Sequence, residues 1–427
     1  MEICKKEKCT GCYACVNSCR HACITMQEDE FGILYPCIDE TKCKQCNACV
    51  RSCPVNNIVS KSEPQICYAV INKDKQEISN CATSGMGFLI AVYTITKRNG
   101  YVFATLYDDS LIPRFAEITN VDKLEYIKGS KYVQSIVGDN TMHRIRELLN
   151  KGQYVTFIGT PCQVSGLKQY LTKEYPNLLT VDLLCHGVCP TRYFIEEINY
   201  LKSKYKIKNI SDVRFRGNDG YNFVLSLWNG ERKEYSCHSG AQPYFAGFMY
   251  GTTLRPNCFQ CDYAKTERIG DITIGDFIGL GKSIPFEYEK ENVSFVSVNT
   301  SKGADMISLL KANCRQLAFY ERTYKERCAY PYSLLKPTEL HYSVALFSRY
   351  YPKYGYVRSV RKALRKEVFW PVLKLHLSWL TPIYQSRCPK FFAKIFKNFF
   401  AMLVLTIDRK NVHPWIALPP FLRTIYK

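Results

Sequence analysis

The residues with the most chemistry in this chain are cysteines, and their spacing gives them meaning. Cys9-x2-Cys12-x2-Cys15-x3-Cys19 recurs as Cys43-x2-Cys46-x2-Cys49-x3-Cys53-Pro54. Three thiols at three-residue intervals let one backbone loop curl round an iron–sulfur cubane, while the fourth departs to ligate a second cluster. The assignment is therefore crossed: Cys9, Cys12 and Cys15 with Cys53, and Cys43, Cys46 and Cys49 with Cys19. Tetrahedral zinc is the alternative, but it takes four ligands, commonly as two C-x2–4-C pairs, and leaves the third cysteine of each triplet idle. Two [4Fe–4S] clusters are expected within residues 1–60. Arg20 stands where the first repeat would usually carry proline, which alters the turn after Cys19 rather than the ligands. Cys4, Cys23 and Cys37 are left over and read as small buried hydrophobes.

The remaining composition sets the frame. The chain has 427 residues, enough for two or three domains, and 22 cysteines. The opening MEICKKEKC has no apolar run and no small-residue cleavage site, so a reducing, cytoplasmic setting is expected and the thiols read as ligands or free residues. The formal charge of +20 is unevenly spread: residues 341–427 hold 16 Lys+Arg against Glu367 and Asp408, whereas 1–340 is nearly balanced. A basic tail on a balanced body suggests one polyanionic contact made by the tail. No uncharged apolar window of about 18 residues exists, so a spanning helix is not expected.

The elements that must position further chemistry begin after Lys61-Ser62-Glu63-Pro64, which reads as a linker. Strand-like ICYAVI (66–71), YVFATLY (101–107), YVTFIG (154–159) and LLTVDLLC (178–185) alternate with helical patterns over 87–97, 142–152, 164–173 and 193–205. Later strands are expected at 222–228, 271–277 and 293–299. The alternation favours an α/β domain over 65–335 within an α+β whole. Residues 341–427 form a basic tail broken by prolines, whose best helix, 390–407, carries lysines on one side and phenylalanines on the other.

Six segments resemble the beta-subunit family of coenzyme F(420) hydrogenases and dehydrogenases, with a ferredoxin-like N-terminal extension. They are TSGMGF (83–88), KGSKYVQS (128–135), GTPCQVSGL (159–167), DLLCHGVCP (182–190), RPNCFQC (255–261) and RIGDITIGDF (268–277), in the family's order. The resemblance implies an FAD-containing α/β domain passing electrons between a two-electron carrier and iron–sulfur clusters. It also implies a third [4Fe–4S] cluster on Cys162, Cys185, Cys258 and Cys261. From the residues alone, Cys162 and Cys185 end two strand-to-helix turns, where open α/β sheets gather ligands, and Cys258-x2-Cys261 is a chelating pair. A structural zinc on the same thiols stays open on spacing, and Cys189 could replace Cys185. For the flavin, Ser84, Gly85, Lys131 and Gln134 are the candidates, small residues for close approach and a lysine for the pyrophosphate. An N-cap at Ser84 and a solvated Lys131 are the plain alternatives. Met86 stands where the family usually has a second glycine. His186 reads as a structural hydrogen-bonder rather than a proton relay.

The expected function is an iron–sulfur flavoprotein oxidoreductase. It exchanges electron pairs with an organic substrate or carrier and single electrons with a protein partner such as ferredoxin. The competing class is a non-catalytic electron-transfer subunit. Nucleic acid is not an expected partner, because the tail's aromatics follow one helical face and suit a bilayer interface better than base stacking. Each Lys or Arg near an anionic surface gains about 1 kcal/mol. The full chain is therefore expected to co-sediment with anionic vesicles at moderate salt and a 1–340 truncation to stay in solution; equal sedimentation of the two rejects the contact.

Overall fold

Both cysteine repeats fold with the same backbone reversal. In this computed structural model, which describes residues 1–57, 59–216, 223–330 and 336–369, the residues on either side of the second cysteine of each repeat take positive φ. These are Gly11 (65°) and Tyr13 (66°) around Cys12, and Gln45 (51°) and Asn47 (56°) around Cys46. Three of the four are not glycine, so each L-residue accepts about 1–2 kcal/mol of strain that only an over-determined loop sustains. Short helices α1 (Ala14–Ser18) and α2 (Ala48–Arg51) follow the two reversals and pack together. Between them β1 (Ile24–Glu28) and β2 (Leu34–Ile38) form an antiparallel hairpin.

The rest of the described chain alternates β and α. It runs β3 (Ile66–Asn72), α3 (Met86–Arg98), β4 (Tyr101–Tyr107), β5 (Pro113–Ile118), α4 (Thr141–Asn150), β6 (Val155–Gly159), α5 (Pro161–Leu171), β7 (Leu178–Leu183) and α6 (Thr191–Tyr205). A separate antiparallel sheet follows, β8 (Asp212–Arg216), β9 (Phe223–Asn229) and β10 (Arg232–His238), and then α7 (Pro243–Met249). The chain returns through β11 (Ile272–Asp276), β12 (Ser294–Val298), α8 (Ser301–Asn313), β13 (Leu317–Arg322), α9 (Tyr324–Cys328) and α10 (Ser343–Ala363). The main sheet has the order β13-β3-β12-β11-β7-β6-β4-β5. Its centre, β11-β7-β6-β4, is parallel, and every other pairing in it is antiparallel. Strands buried on both faces should be near-continuously apolar, and VTFIG and LLTVDL are.

Helices cover both faces of this sheet. Leu89 and Ile90 of α3 and Met306 and Leu310 of α8 close one side over Val181, Ile272 and Val296. Ile145 and Leu148 of α4 and Val164 and Leu167 of α5 close the other over Phe103 and Phe157, in one continuous core with Cys12, Ala14 and Val16 of the cysteine-rich segment. That shared core makes the N-terminal segment part of the body rather than an appendage.

The expected strands and helices lie where the sequence periodicity puts them. β5, β8, β10, β13 and the hairpin β1-β2 are additional, since these edge strands are short, alternate weakly or are largely exposed. The C-terminal segment also differs. Its first part, α10, is core: Phe347, Tyr356 and Val360 pack with Tyr193 and Phe194 of α6 and Tyr244 of α7. The helix expected over 390–407 lies outside the described residues. No helix among the described residues is long and apolar enough to cross a membrane.

Because α10 is part of the body, a truncation at 340 would unroof α6 and α7, and a vesicle experiment needs its cut after 368. α10 is pinned by Glu197, whose wholly buried carboxylate accepts from Arg361 at 2.7 and 2.9 Å and from Gln242 at 2.8 Å. Removing one member of a buried pair leaves the other charge uncompensated, and Arg361 is partly exposed, so the loss is about 2 kcal/mol rather than the upper range for buried pairs. Glu197→Ala is expected to lower the thermal unfolding midpoint and expose 343–363 to protease. An unchanged midpoint and cleavage pattern would show that α10 holds by apolar packing alone.

Candidate functional site

The first cysteine group draws on both repeats. Cys9, Cys12, Cys15 and Cys53 line one small cavity, with Thr10, Gly11 and Tyr13 of the reversing loop around it. Cys4, read from sequence as a spare hydrophobe, lines the same cavity. Its S–H hydrogen-bonds to Cys9 and Cys53, which lowers the first to about 6 and the second to about 7. Burial raises Cys12 to about 12 and lifts Cys15 well above the usual thiol range, with the neighbouring thiols adding to both. Thiolate ligands must be deprotonated to bind, so loading a cluster here would release protons from the thiols that burial keeps protonated.

The second group gathers Cys19, Cys43 and Cys49, whose thiols act on one another electrostatically, while Cys46 is exposed. Here too an extra thiol intrudes: Cys23 Sγ lies 3.3 Å from Cys19 Sγ. Nothing in the repeat spacing signals Cys4 or Cys23, because each reaches its group from outside the motif.

The third group is assembled from distant segments. Cys162 lies in the first turn of α5, which begins with a capping box between Thr160 and Gln163 and Pro161 at its start. Cys185 follows β7, and Cys258 and Cys261 bracket the end of a short 3-10 turn, Pro256–Gln260. Burial raises Cys162 and Cys258 to about 12 and Cys185 well upward, and the charges of the other members add to each. Cys189, the possible substitute, is wholly buried with its Sγ 3.2 Å from Thr253 Oγ1. Among the described residues, no three or more His, Cys, Asp or Glu side chains converge on a point that could hold a single metal ion; a cubane takes a wider set, because each thiolate binds a separate iron.

A buried charge pair holds this third group. Arg268, 1% exposed, donates to Asp182 Oδ1 at 3.3 Å, and Asp182, fully buried, also accepts from the backbone N–H groups of Ile269 and Gly270. The same guanidinium donates to the carbonyls of Leu183, Tyr263 and Lys265. One side chain thus ties the strand leading to Cys185 to the loop leaving Cys261.

A cavity of about 700 Å³ adjoins the group, with Cys185 in its wall. It opens at the carboxyl ends of the four parallel strands, lined by Thr105, Gly159, Leu184 and Gly275, where open α/β sheets bind ligands. The first residues of α3, led by Gly85 at φ 75°, form another wall. Lys128, Lys131, Arg216 and Arg327 line it against one carboxylate, Asp276, which Arg216 holds at 2.6 Å. Desolvation pulls Lys131 down to about 8 and Arg327 to about 10. Cations whose protonated forms are disfavoured by burial are stabilised by a bound anion, and a helix N-terminus adds to that field. Volume, glycine-lined approach and charge all fit a dinucleotide such as FAD.

The four flavin candidates divide. Gly85 and Lys131 line the cavity, with Lys131 Nζ donating to the Tyr126 carbonyl at 3.0 Å. Ser84 lies behind the wall, its hydroxyl 2.6 Å from Ser294 Oγ, and Gln134 Oε1 accepts from Arg255 Nη1 at 3.1 Å. Periodicity cannot show which way a loop side chain turns. Lys128, Arg216 and Arg327 were missed, the last two because they lie outside the resembling segments. Met86 lines the cavity and packs into the core beneath α3. His186 Nε2 donates to the Phe248 carbonyl at 3.2 Å, and Thr338 Oγ1 donates to the His186 carbonyl at 2.6 Å, in keeping with a structural role.

Thiol groups wrapped in duplicate reversing loops, with a third set against a cavity in an α/β body, define an iron–sulfur electron-transfer protein. Residues 8–57 match the 4Fe-4S dicluster domain, and residues 152–318 match the family described as the C terminus of the coenzyme F420 hydrogenase/dehydrogenase beta subunit. Residues 152–318 therefore carry that family's C-terminal domain, behind a dicluster domain. Among solved structures, the F420-reducing [NiFe] hydrogenase complex from Methanosarcina barkeri matches with 14% identity and a TM-score of 0.43, over 74% of this chain and 92% of that one. No curated protein matches.

The first and third groups meet across α5. A Cβ added at Gly166 would lie 2.8 Å from both Cβ and Sγ of Cys12. Gly166 is four residues after Cys162, one turn along the same helix face. Tyr263 lies against both groups, its hydroxyl's acidity weakened by burial and then by Cys162 and Cys12. Gly166→Ala is expected to displace the Cys12 loop and cost about four irons per chain, one [4Fe–4S] unit, or alter the first cluster's spectrum. Gly240→Ala, whose added Cβ would meet His238 Nδ1 at an ordinary 3.6 Å, should leave both unchanged. Iron content and electron paramagnetic resonance check this; identical behaviour of the two variants would show that the loop has room.

Proposed function

We propose that the chain is an iron–sulfur flavoprotein oxidoreductase, exchanging electron pairs with an organic substrate or carrier at FAD and single electrons with a protein partner such as ferredoxin. The observation that carries this reading is the position of Cys185, which belongs to the third thiol group and also lines the 700 Å³ cavity. When bound there, FAD supplies the conversion between paired and single electrons that clusters alone cannot perform. Gly85 and the first turn of α3 would take its pyrophosphate with Lys131, while the strand ends exclude water beneath. Cys162, Cys185, Cys258 and Cys261 would hold a third [4Fe–4S] cluster, with Cys9, Cys12, Cys15 and Cys53 holding the next. Cys19, Cys43, Cys46 and Cys49 would hold the outermost, where the exposed Cys46 suits exchange with a partner.

In domain terms the proposal is a two-cluster unit over 1–60, an FAD and iron–sulfur unit over 65–335 completed by α10, and a basic segment beyond. For that last segment we propose an interfacial contact with anionic lipid at the inner face of a membrane, since its lysines and arginines each gain near such a surface.

Anaerobically prepared protein is expected to carry about twelve irons and matching sulfide per chain, from the [4Fe–4S] formula, and to release FAD intact in acid. Cys258→Ser with Cys261→Ser should lose about four irons while residues 1–60 keep theirs, because serine is a poor ligand for a soft site. Flavin should still bleach on reduction in that variant, and cluster reduction should slow. Iron content unmoved by the double substitution overturns the third cluster; FMN, or no flavin after FAD is supplied, overturns the cavity's assignment.

A further inference from the structure

Arg255 is wholly buried, one of the largest side chains so placed in the described structure, and no carboxylate is among its bonded partners. Its Nη2 donates to the Cys9 carbonyl at 3.0 Å, and Nη1 donates to the Leu34 carbonyl at 2.9 Å and to Gln134 Oε1 at 3.1 Å. Nε donates to Asn257 Oδ1 at 3.1 Å, and the guanidinium lies 4.8 Å from the Tyr35 ring. Four of the five N–H donors of a guanidinium are therefore spent on neutral groups. A buried cation costs several kcal/mol unless an anion compensates it. Among the described residues no carboxylate forms a salt bridge with it. It stands between two thiol-bearing loops: Nη2 holds the Cys9 loop, and its own carbonyl accepts from the Cys258 N–H at 3.0 Å. None of its side-chain bonds reaches Cys19, Cys43, Cys46 or Cys49.

We propose that Arg255 is a positioning residue for electron transfer, clamping the Cys9 loop to the Cys258 loop and raising the reduction potential of the two clusters on either side of it. This rests on the cluster reading above. Reduction adds one negative charge to a cluster, and a fixed cation in a low-dielectric site stabilises the reduced form. Its effect should fall on the Cys9 and Cys162 groups and spare the Cys19 group. The clamp has a steric counterpart, since a Cβ added at Gly11 would lie 2.5 Å from Gln134 Nε2 and 3.3 Å from Arg255 Nη1.

The test is a redox titration of the full chain, anaerobically prepared and followed by electron paramagnetic resonance, for wild type, Arg255→Gln and Arg255→Lys, with iron counted in each. Arg255→Gln is expected to make reduction at least tenfold less favourable at two clusters, ~59 mV for one electron, with the third unchanged. Arg255→Lys, which keeps the charge, should recover most of the shift. Potentials unchanged at full iron content, or three equal shifts, overturn the proposal. If Arg255→Gln sheds iron, loss of about eight with about four kept supports it, and loss spread over all three groups overturns it. A wild type with only about eight irons fails the third cluster rather than Arg255, whose effect is then read on the Cys9 group alone.

Discussion

Asp182 and Arg268 meet where the sheet ends and the thiol-bearing loops begin. A bare ion pair in that position would cost more in desolvation than its attraction returns. Here the carboxylate also takes two backbone N–H groups and the guanidinium also takes three carbonyls, so neither charge is left with unmet valences. The geometry follows from that saturation. The strand carrying Cys185 and the loop leaving Cys261 are tied to one guanidinium, and Gly270 is bare because any Cβ there would lie 2.7 Å from the Asp182 nitrogen. Asp271 repeats the device one residue on, accepting from Thr180 N–H and hydroxyl and from Thr300.

From this fixed corner the redox groups extend in one direction. α5 starts at the corner with Cys162, and one turn later its backbone is open at Gly166, where Cys12 of the N-terminal segment seats. Two thiol groups come within a helix turn of each other because one residue lacks a side chain. The N-terminal segment buries its own apolar residues in the core of α4 and α5, so its position is set by packing as firmly as by any ligand.

The cavity depends on the same corner from its other side. Parallel strands end together, the loops diverge, and the space between them collects cations that burial disfavours. An anion bound there would offset the desolvation of Lys131 and Arg327, and charge therefore says more about a ligand than volume alone. Ala246, Phe248 and Met249 of α7 contribute to the cavity wall, and α6 and α10 pack behind α7 in one aromatic cluster, which makes α10 part of the architecture despite its basic composition.

The doubled cysteine spacing, the alternation of strands and helices and the carboxyl-end turns were legible residue by residue, because each is local: a loop's curl, a strand's apolar run and a helix's period are written in neighbouring positions. By itself the sequence determined that the chain carries cluster-binding repeats ahead of an α/β body. It could not determine which loop side chains face the cavity, so Ser84 and Gln134 stood beside Gly85 and Lys131 as equals, and Arg216 and Arg327 went unseen. Nor could it show Cys4 and Cys23 joining the ligand groups, Cys189 turning away toward Thr253, or α10 belonging to the core. Those were decided only when distant segments, such as Cys9 and Arg255 at a separation of 246 residues, were brought into contact. Burial and charge compensation are properties of that contact, and no window of sequence contains both partners.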